Sequence, residues 1–182
     1  MNLAEDLKIH DLIKSRYNLA TICRTEIERD RGGNLKIKIY TPRPGVVIGR
    51  KGEGAKKLKA FLDKTLGKKV NLEILEVEKP DLDPVFVAEN IAFQLQRRVS
   101  YKKAIKTAIA RAMQAGAEGI KIRVSGRLAG VEIARSEYFM EGKVPTQNLQ
   151  KDIRYHQATA ITKYGTIGVK VWINLGDIKQ GG

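Results

Sequence analysis

Val46-Val47-Ile48-Gly49-Arg50-Lys51-Gly52 is the stretch on which the reading of this chain turns. An apolar triplet runs into two glycines that bracket two cations. A second molecule's backbone approaches a loop closely only where no Cβ intrudes, so Gly49 and Gly52 mark a place of close contact. Arg50 and Lys51 supply charge to it. Downstream, Ala55, Leu58, Leu62 and Leu66 recur at helical spacing, with Lys56, Lys57, Lys59 and Lys64 between them. Upstream, Leu35, Ile37 and Ile39 alternate with Lys36 and Lys38 as in a strand, which Pro42 and Pro44 end. The loop therefore joins a brief apolar turn, residues 45–48, to a basic amphipathic helix.

Before the strand, Leu3, Leu7, Ile13 and Tyr17 suggest the buried side of a first helix, with Glu5 and Asp6 near its start as the helix dipole prefers. Residues 19–28 read as a strand, Arg31-Gly32-Gly33-Asn34 as a turn, and Val70 to Val77 as a further strand. The order is helix, strand, strand, short helix, helix, strand, with Gly-x-x-Gly between the two later helices. That is the signature of a prokaryotic-type (type II) KH domain, a module for single-stranded nucleic acid. Such a loop clamps about four nucleotides of backbone. Amides at the start of the following helix are expected to face phosphate, with bases on an apolar groove beside Ile48. A plain solvated turn is the bland reading; the apolar triplet, the basic helix and the order of elements favour the functional one. A phosphate-binding P-loop fails, because Ala55-Lys56 stands where Lys-Ser/Thr is required.

Glu78-Lys79-Pro80-Asp81-Leu82-Asp83-Pro84 reads as a linker and divides the chain into domains 1–79 and 80–182. Asp83 is a candidate N-cap with Pro84 at the first helical position, followed by Val87, Ile91, Leu95 and Val99 at i+4 steps. A second helix begins after Ser100 and stops at Gly116. Ile120, Ile122 and Val124 then alternate, Gly126-Arg127-Leu128-Ala129-Gly130 turns, and strand-like stretches follow at 131–141, 152–163 and 166–175. The fold class is α+β: the KH domain, then two helices on a mostly antiparallel four-stranded sheet.

Lys102, Lys103 and Lys106 fall within roughly a 100° arc of the second helix. Ile105, Ala108, Ile109 and Ala112 take the neighbouring arc and are expected to pack on the sheet, leaving the lysines to solvent or RNA. Arg97 and Arg98 extend the patch. A solvated helix face normally mixes signs, but no acid occurs between Glu89 and Glu118, which favours RNA contact. Arg123, Arg127 and Arg135 surround the 126–130 turn and serve either RNA or the balance of Glu132 and Glu137. Tyr138, Phe139 and Trp172 are assigned to core or sheet packing rather than base stacking. His10 and His156 read as structural, and the lone Cys23 as a buried, inert thiol.

The charge supports this. Thirty-four Lys and Arg against 20 Asp and Glu leave a formal charge of +14 on 182 residues, which calls for a polyanionic partner. Residues 43–69 carry nine basic and two acidic side chains, and residues 97–127 carry nine and one, so these windows hold essentially the whole excess. An anionic membrane is the other class of polyanion, but there is no long apolar run, signal-like N-terminus or lipidation motif. A soluble, cytosolic chain without membrane partner, cofactor or metal is expected. No acid–base pair at useful spacing supports an enzyme, a Lys-based nucleic-acid lyase included.

Four stretches carry a wider resemblance: Pro44-Gly45-Val46-Val47-Ile48-Gly49-Arg50-Lys51-Gly52-Glu53, Ser125-Gly126-Arg127-Leu128, Glu132-Ile133-Ala134-Arg135-Ser136-Glu137, and Tyr164-Gly165-Thr166-Ile167-Gly168-Val169-Lys170-Val171-Trp172-Ile173. In order and spacing they resemble the small-subunit ribosomal protein three family, bacterial or organellar type, over roughly residues 3–178. The resemblance implies a structural place in the small-subunit head, binding to small-subunit (16S-type) rRNA, and ribosomal proteins ten and fourteen as neighbours. It also implies lining the tunnel by which mRNA enters, where Lys102, Lys103 and Lys106 match residues of relatives that face mRNA and support its unwinding. Lys at 102 and 103, where relatives often carry Arg, keeps the charge but loses bidentate phosphate geometry. Relatives usually carry a basic, Gly-rich segment before the first helix and a long basic tail; neither stands in this sequence. The alternative is a free KH regulator of single-stranded RNA, although such proteins usually repeat the KH unit instead of adding a second domain of this kind.

Overall fold

The computed structural model describes residues 3–16, 22–29, 35–49 and 52–177. The chain divides into two compact units, Met1–Glu78 and Lys79–Gly182.

In the first unit, α1 (Leu3–Arg16) precedes β1 (Arg24–Arg29), β2 (Leu35–Thr41), α2 (Pro44–Ile48), α3 (Glu53–Leu66) and β3 (Val70–Glu76). The strand order is β1-β2-β3, with β1 antiparallel and β3 parallel to β2. A parallel neighbour cannot be reached by a tight turn, so the chain crosses over, and α2 and α3 are that crossover. Alternation buries Leu35, Ile37 and Ile39 against Ile9, Ile13, Leu58, Leu62 and Val70. On the other face Lys38 pairs with Glu28, and the Tyr40 hydroxyl donates to Glu26 at 3.0 Å. Lys36 Nζ lies 3.0 Å from Glu73 Oε2, an ion pair without hydrogen-bond alignment. The Lys38 ammonium, by its hydrogen bond, holds the Glu28 carboxyl below its usual range.

The buried side of α1 differs from the expected one. Leu7 is exposed, whereas Ile9 and Ile13 are fully buried. The reason is angular: Leu7 and Ile13, six residues apart, point about 120° away from each other round a helix, while Ile9 and Ile13 share a face. Tyr17, the 19–21 part of the expected first strand, and the turn at 31–34 lie outside the described residues.

The second unit opens with a 3-10 turn at Pro80–Leu82, followed by α4 (Pro84–Gln96), α5 (Tyr101–Gln114), β4 (Gly119–Gly126), β5 (Arg135–Gly142), β6 (Lys151–Thr162) and β7 (Gly165–Asp177). The sheet order is β5-β4-β7-β6, and every neighbouring pair is antiparallel. The α4 helix packs on β6 and β7, and α5 on β4 and β5. Together they bury Ile120, Ile122, Val124, Val169, Val171 and Ile173. Val87, Ile91 and Leu95 are buried as their spacing requires, but Val99 falls past the helix end, where Arg98 adopts a left-handed φ of 63°. β5 starts at 135 rather than 131, because a second 3-10 turn, Leu128–Gly130, intervenes and is pinned by fully buried Leu128. Cys23, just before β1, is buried.

Asp83 caps α4 as the sequence suggests, its carboxylate accepting from the Val85 amide at 2.9 Å beside Pro84. Burial nonetheless pushes the Asp83 carboxyl above its usual range. A neutral side chain of the same shape keeps the cap without burying a charge. Asp83→Asn is therefore expected to leave urea stability unchanged or slightly raised, and Asp83→Ala to lower it by about 1 kcal/mol.

Candidate nucleic-acid interface

Of the apolar triplet in α2, only Val47 enters the core; Val46 and Ile48 are exposed, at 59% and 37%. The amide of Gly49 donates to the Gly45 carbonyl at 3.0 Å and closes α2. Gly49 then adopts φ 71° and ψ −179°, a backbone state essentially confined to glycine. Gly52 is left-handed at φ 77°, caps α3, and donates its amide to the Gly49 carbonyl at 3.3 Å. Both glycines thus have a conformational reason as well as the one argued from close approach. No side chain caps α3, so the amides of its first turn present their partial positive charge beside the loop. Lys56, Lys57, Lys59 and Lys64 line its exposed side, with Lys57 in one loose ion pair to Glu53 at 3.5 Å. Arg50 and Lys51 lie outside the described residues.

Gly54 is the residue that sequence reasoning missed. A Cβ there would stand 2.6 Å from the Val47 carbonyl oxygen and 2.9 Å from that of Ile48. It is what lets α3 start against the end of α2. The available signal was a glycine inside a helix, where it costs about 1 kcal/mol relative to alanine and so asks for a reason.

In the second unit, α5 divides cleanly. Tyr101, Ala104, Ile105, Ile109 and Ala112 are buried, Ala108 is half-buried, and Lys102, Lys103 and Lys106 are exposed. None of the three lysines forms an ion pair among the described residues; Lys102 Nζ lies 5.9 Å from the Tyr101 ring centre. Arg97 and Arg98, both exposed, precede them in the turn between the helices, with the Arg97 guanidinium 4.3 Å over the Phe93 ring.

The three arginines around the 126–130 turn are not brought together. Arg127 donates from Nε to the Val131 carbonyl at 2.8 Å and from Nη1 to the Tyr164 carbonyl at 3.0 Å, tying the 3-10 turn to the β6–β7 hairpin. Arg135 pairs with Glu137 at 2.9 Å and donates to the Tyr101 hydroxyl at 3.4 Å on the helix side of the sheet. Arg123 is exposed on the opposite face, 3.4 Å from Ser136 Oγ. Beside the turn, Lys163, with Arg98 and Arg127 near it, holds the Tyr164 phenol below its usual range.

The aromatic assignments split as well. Phe139 packs against the core, but Tyr138 is 72% exposed and Trp172 lies half-buried on the face away from the helices. The reason is strand parity: Tyr138 and Phe139 are adjacent and must point oppositely. His156 sits on the helix side, 3.7 Å from Glu89. Among the described residues no three His, Cys, Asp or Glu stand close enough to hold a metal, and no helix is long and apolar enough to cross a membrane.

Residues 8–82 match the KH domain family, and residues 91–173 match the family described as ribosomal protein S3, C-terminal domain. The chain is 52% identical over 178 residues to small ribosomal subunit protein uS3 of Kosmotoga olearia, covering 98% of this chain and 83% of that protein. The corresponding protein of Carboxydothermus hydrogenoformans is 51% identical, with 97% and 79% covered. That of Caldanaerobacter subterraneus is 53% identical, again with 97% and 79% covered.

The crowding at Gly54 makes a direct prediction. Gly54→Ala forces two backbone segments apart and is expected to cost about 1–3 kcal/mol in denaturant unfolding. Gly45→Ala, whose Cβ would meet nothing within 4 Å, serves as the silent control.

Proposed function

The chain belongs to the family of small ribosomal subunit protein uS3, an RNA-binding structural constituent of the small ribosomal subunit, and from that premise we propose how its two units work there. In this reading it sits in the head of the subunit in a cytoplasmic ribosome, binds the small-subunit rRNA, and neighbours ribosomal proteins ten and fourteen. Its second unit lines the tunnel by which mRNA enters, guides the message and helps to open its duplexes.

The observation that carries the mRNA role is α5. One side of the helix is fixed in the core by Ala104, Ile105, Ile109 and Ala112, which holds Lys102, Lys103 and Lys106 outward as a rigid row of cations with no ion pair among the described residues. Such a row attracts phosphate irrespective of sequence, as a guide for any message must. Arg97 and Arg98 lengthen it. Lysine, a point charge, grips phosphate less rigidly than arginine, so the row suits passage of a strand more than a fixed hold.

The KH loop is the second contact. Ile48 and Val46 offer apolar surface, Gly49 and Gly52 give the bend, Arg50 and Lys51 give charge, and the uncapped start of α3 adds its amides. Arg123, Arg127 and Arg135 complete the assignment as further rRNA contacts. Arg127 and Arg135, though engaged within the fold, keep N–H donors beyond those bonds.

Two outcomes follow. Arg50→Asp with Lys51→Asp puts negative charge against phosphate between Gly49 and Gly52. Affinity of the full chain for single-stranded RNA is expected to fall at least tenfold at low salt by fluorescence anisotropy, with little change in melting temperature; unaltered binding would reduce the loop to a structural bend. Changing Lys102, Lys103 and Lys106 to Ala removes three cations from an exposed face and raises helix propensity, so the subunit should still assemble. Those ribosomes are expected to translate unstructured messages normally and to slow on messages with a stable downstream hairpin. Equal rates on both would sink the unwinding role.

A further inference from the structure

We propose that the face of the four-stranded sheet turned away from α4 and α5 is a third RNA-binding surface, on which unpaired bases stack against Tyr138, Trp172 and Tyr155 while Lys121, Arg123 and Lys170 hold the phosphates. The proposal rests on the RNA-binding character of the family and goes beyond the KH loop and α5.

Strand register builds the surface. Pairing aligns Met140, Lys121, Trp172 and Tyr155 across β5-β4-β7-β6, and in the next row Tyr138, Arg123, Lys170 and Gln157. Ser136, Ser125, Gly168 and Thr159 form a third row. Because alternate residues Ile120, Ile122, Val124, Val169 and Val171 are buried under the helices, these rows face the other way. Tyr138 and Tyr155 are 72% and 48% exposed, and Trp172 lies with its ring centre 5.1 Å from that of Tyr155. Lys121 Nζ stands 5.5 Å from the Trp172 ring. Lys121, Arg123, Ser136, Tyr138 and Trp172 line a shallow depression.

The charges point to the ligand. The three rows contain three cations and no acid, and none of the three cations has an ion pair among the described residues. Arg123 and Lys170 are direct cross-strand partners, an arrangement of like charges that destabilises a sheet unless an anion lies between them. The open face of the first sheet shows the contrast: there the lysines of β2 meet glutamates, Lys38 with Glu28 and Lys36 with Glu73. Cations left for an outside anion, beside exposed rings on a four-stranded sheet, fit single-stranded RNA, since every base has a face to stack. A protein neighbour would need acids to match the cations and would leave the rings without a specific role.

Trp172 is the chain's single tryptophan, so its emission reports this face alone. The full chain is titrated with a fluorescein-labelled single-stranded oligouridine of about 12 nucleotides. Label anisotropy reads binding anywhere, and Trp172 emission reads the sheet. The expected result is saturable quenching of Trp172. Arg123→Ala with Lys170→Ala should raise the RNA concentration needed for it about tenfold; Tyr138→Ser should weaken it several-fold, and Tyr138→Phe, which keeps the ring, should not. Emission that stays flat while anisotropy saturates overturns the proposal and hands the face to a protein neighbour. Quenching indifferent to all three variants overturns it too. Failure of the loop reading shows elsewhere, in the anisotropy of the Arg50→Asp, Lys51→Asp chain.

Discussion

Burial of one side of a sheet beneath two helices is the constraint on which the rest of this chain depends. In the first unit Leu35, Ile37 and Ile39 meet Ile9, Ile13, Leu58 and Leu62; in the second, Ile120, Ile122, Val124, Val169, Val171 and Ile173 meet α4 and α5. A strand repeats every two residues, so fixing the apolar set inward also fixes which side chains point outward. Helices transmit the same rule with their own period. Once Ile105 and Ile109 are seated, the lysines at 102, 103 and 106 have nowhere to go but out.

That rule explains why the sequence was legible where it was. Runs with a plain period, such as 35–39, 58–66, 87–95 and 120–124, named their elements and buried faces directly. The α1 face was misread because its apolar residues do not repeat at one angle, and only packing against β2 selects Ile9 and Ile13 over Leu7. The late start of β5 was hidden because nothing in Val131 to Ala134 announces that Leu128 is already pinned in the core. At the loop, the two glycines were visible as a motif. The third, Gly54, was not, because its reason is the nearness of α2's last carbonyls, a tertiary fact.

The same logic separates charges that hold the fold from charges that remain available. Arg127 looked like one of three equivalent cations near a turn, yet its guanidinium bridges two carbonyls far apart in sequence, and Arg135 is tied to Glu137 and Tyr101. Counting charge along the chain reveals the Arg135–Glu137 pair but not the rest, since the other partners are backbone oxygens and a hydroxyl. Tyr138 and Phe139 make the complementary point for aromatics: neighbours in sequence, they fall on opposite sides of β5, one for the core and one for the outside.

The parallel pairing of β2 with β3, from Leu35 with Val70 to Thr41 with Glu76, brackets the Gly-x-x-Gly bend inside its crossover. Synthesis runs from the amino end, so β2 and the bend leave the exit tunnel before β3 does. Until about residue 76 is free, the crossover has no second anchor and α3 has no completed sheet to lie on. A newborn chain of this kind therefore carries the basic residues of the crossover before the sheet that arranges them, and the bend is held in place only once the whole first unit is out. The delay is written into strand order: the crossover is seated only after the strand that closes the sheet has been made.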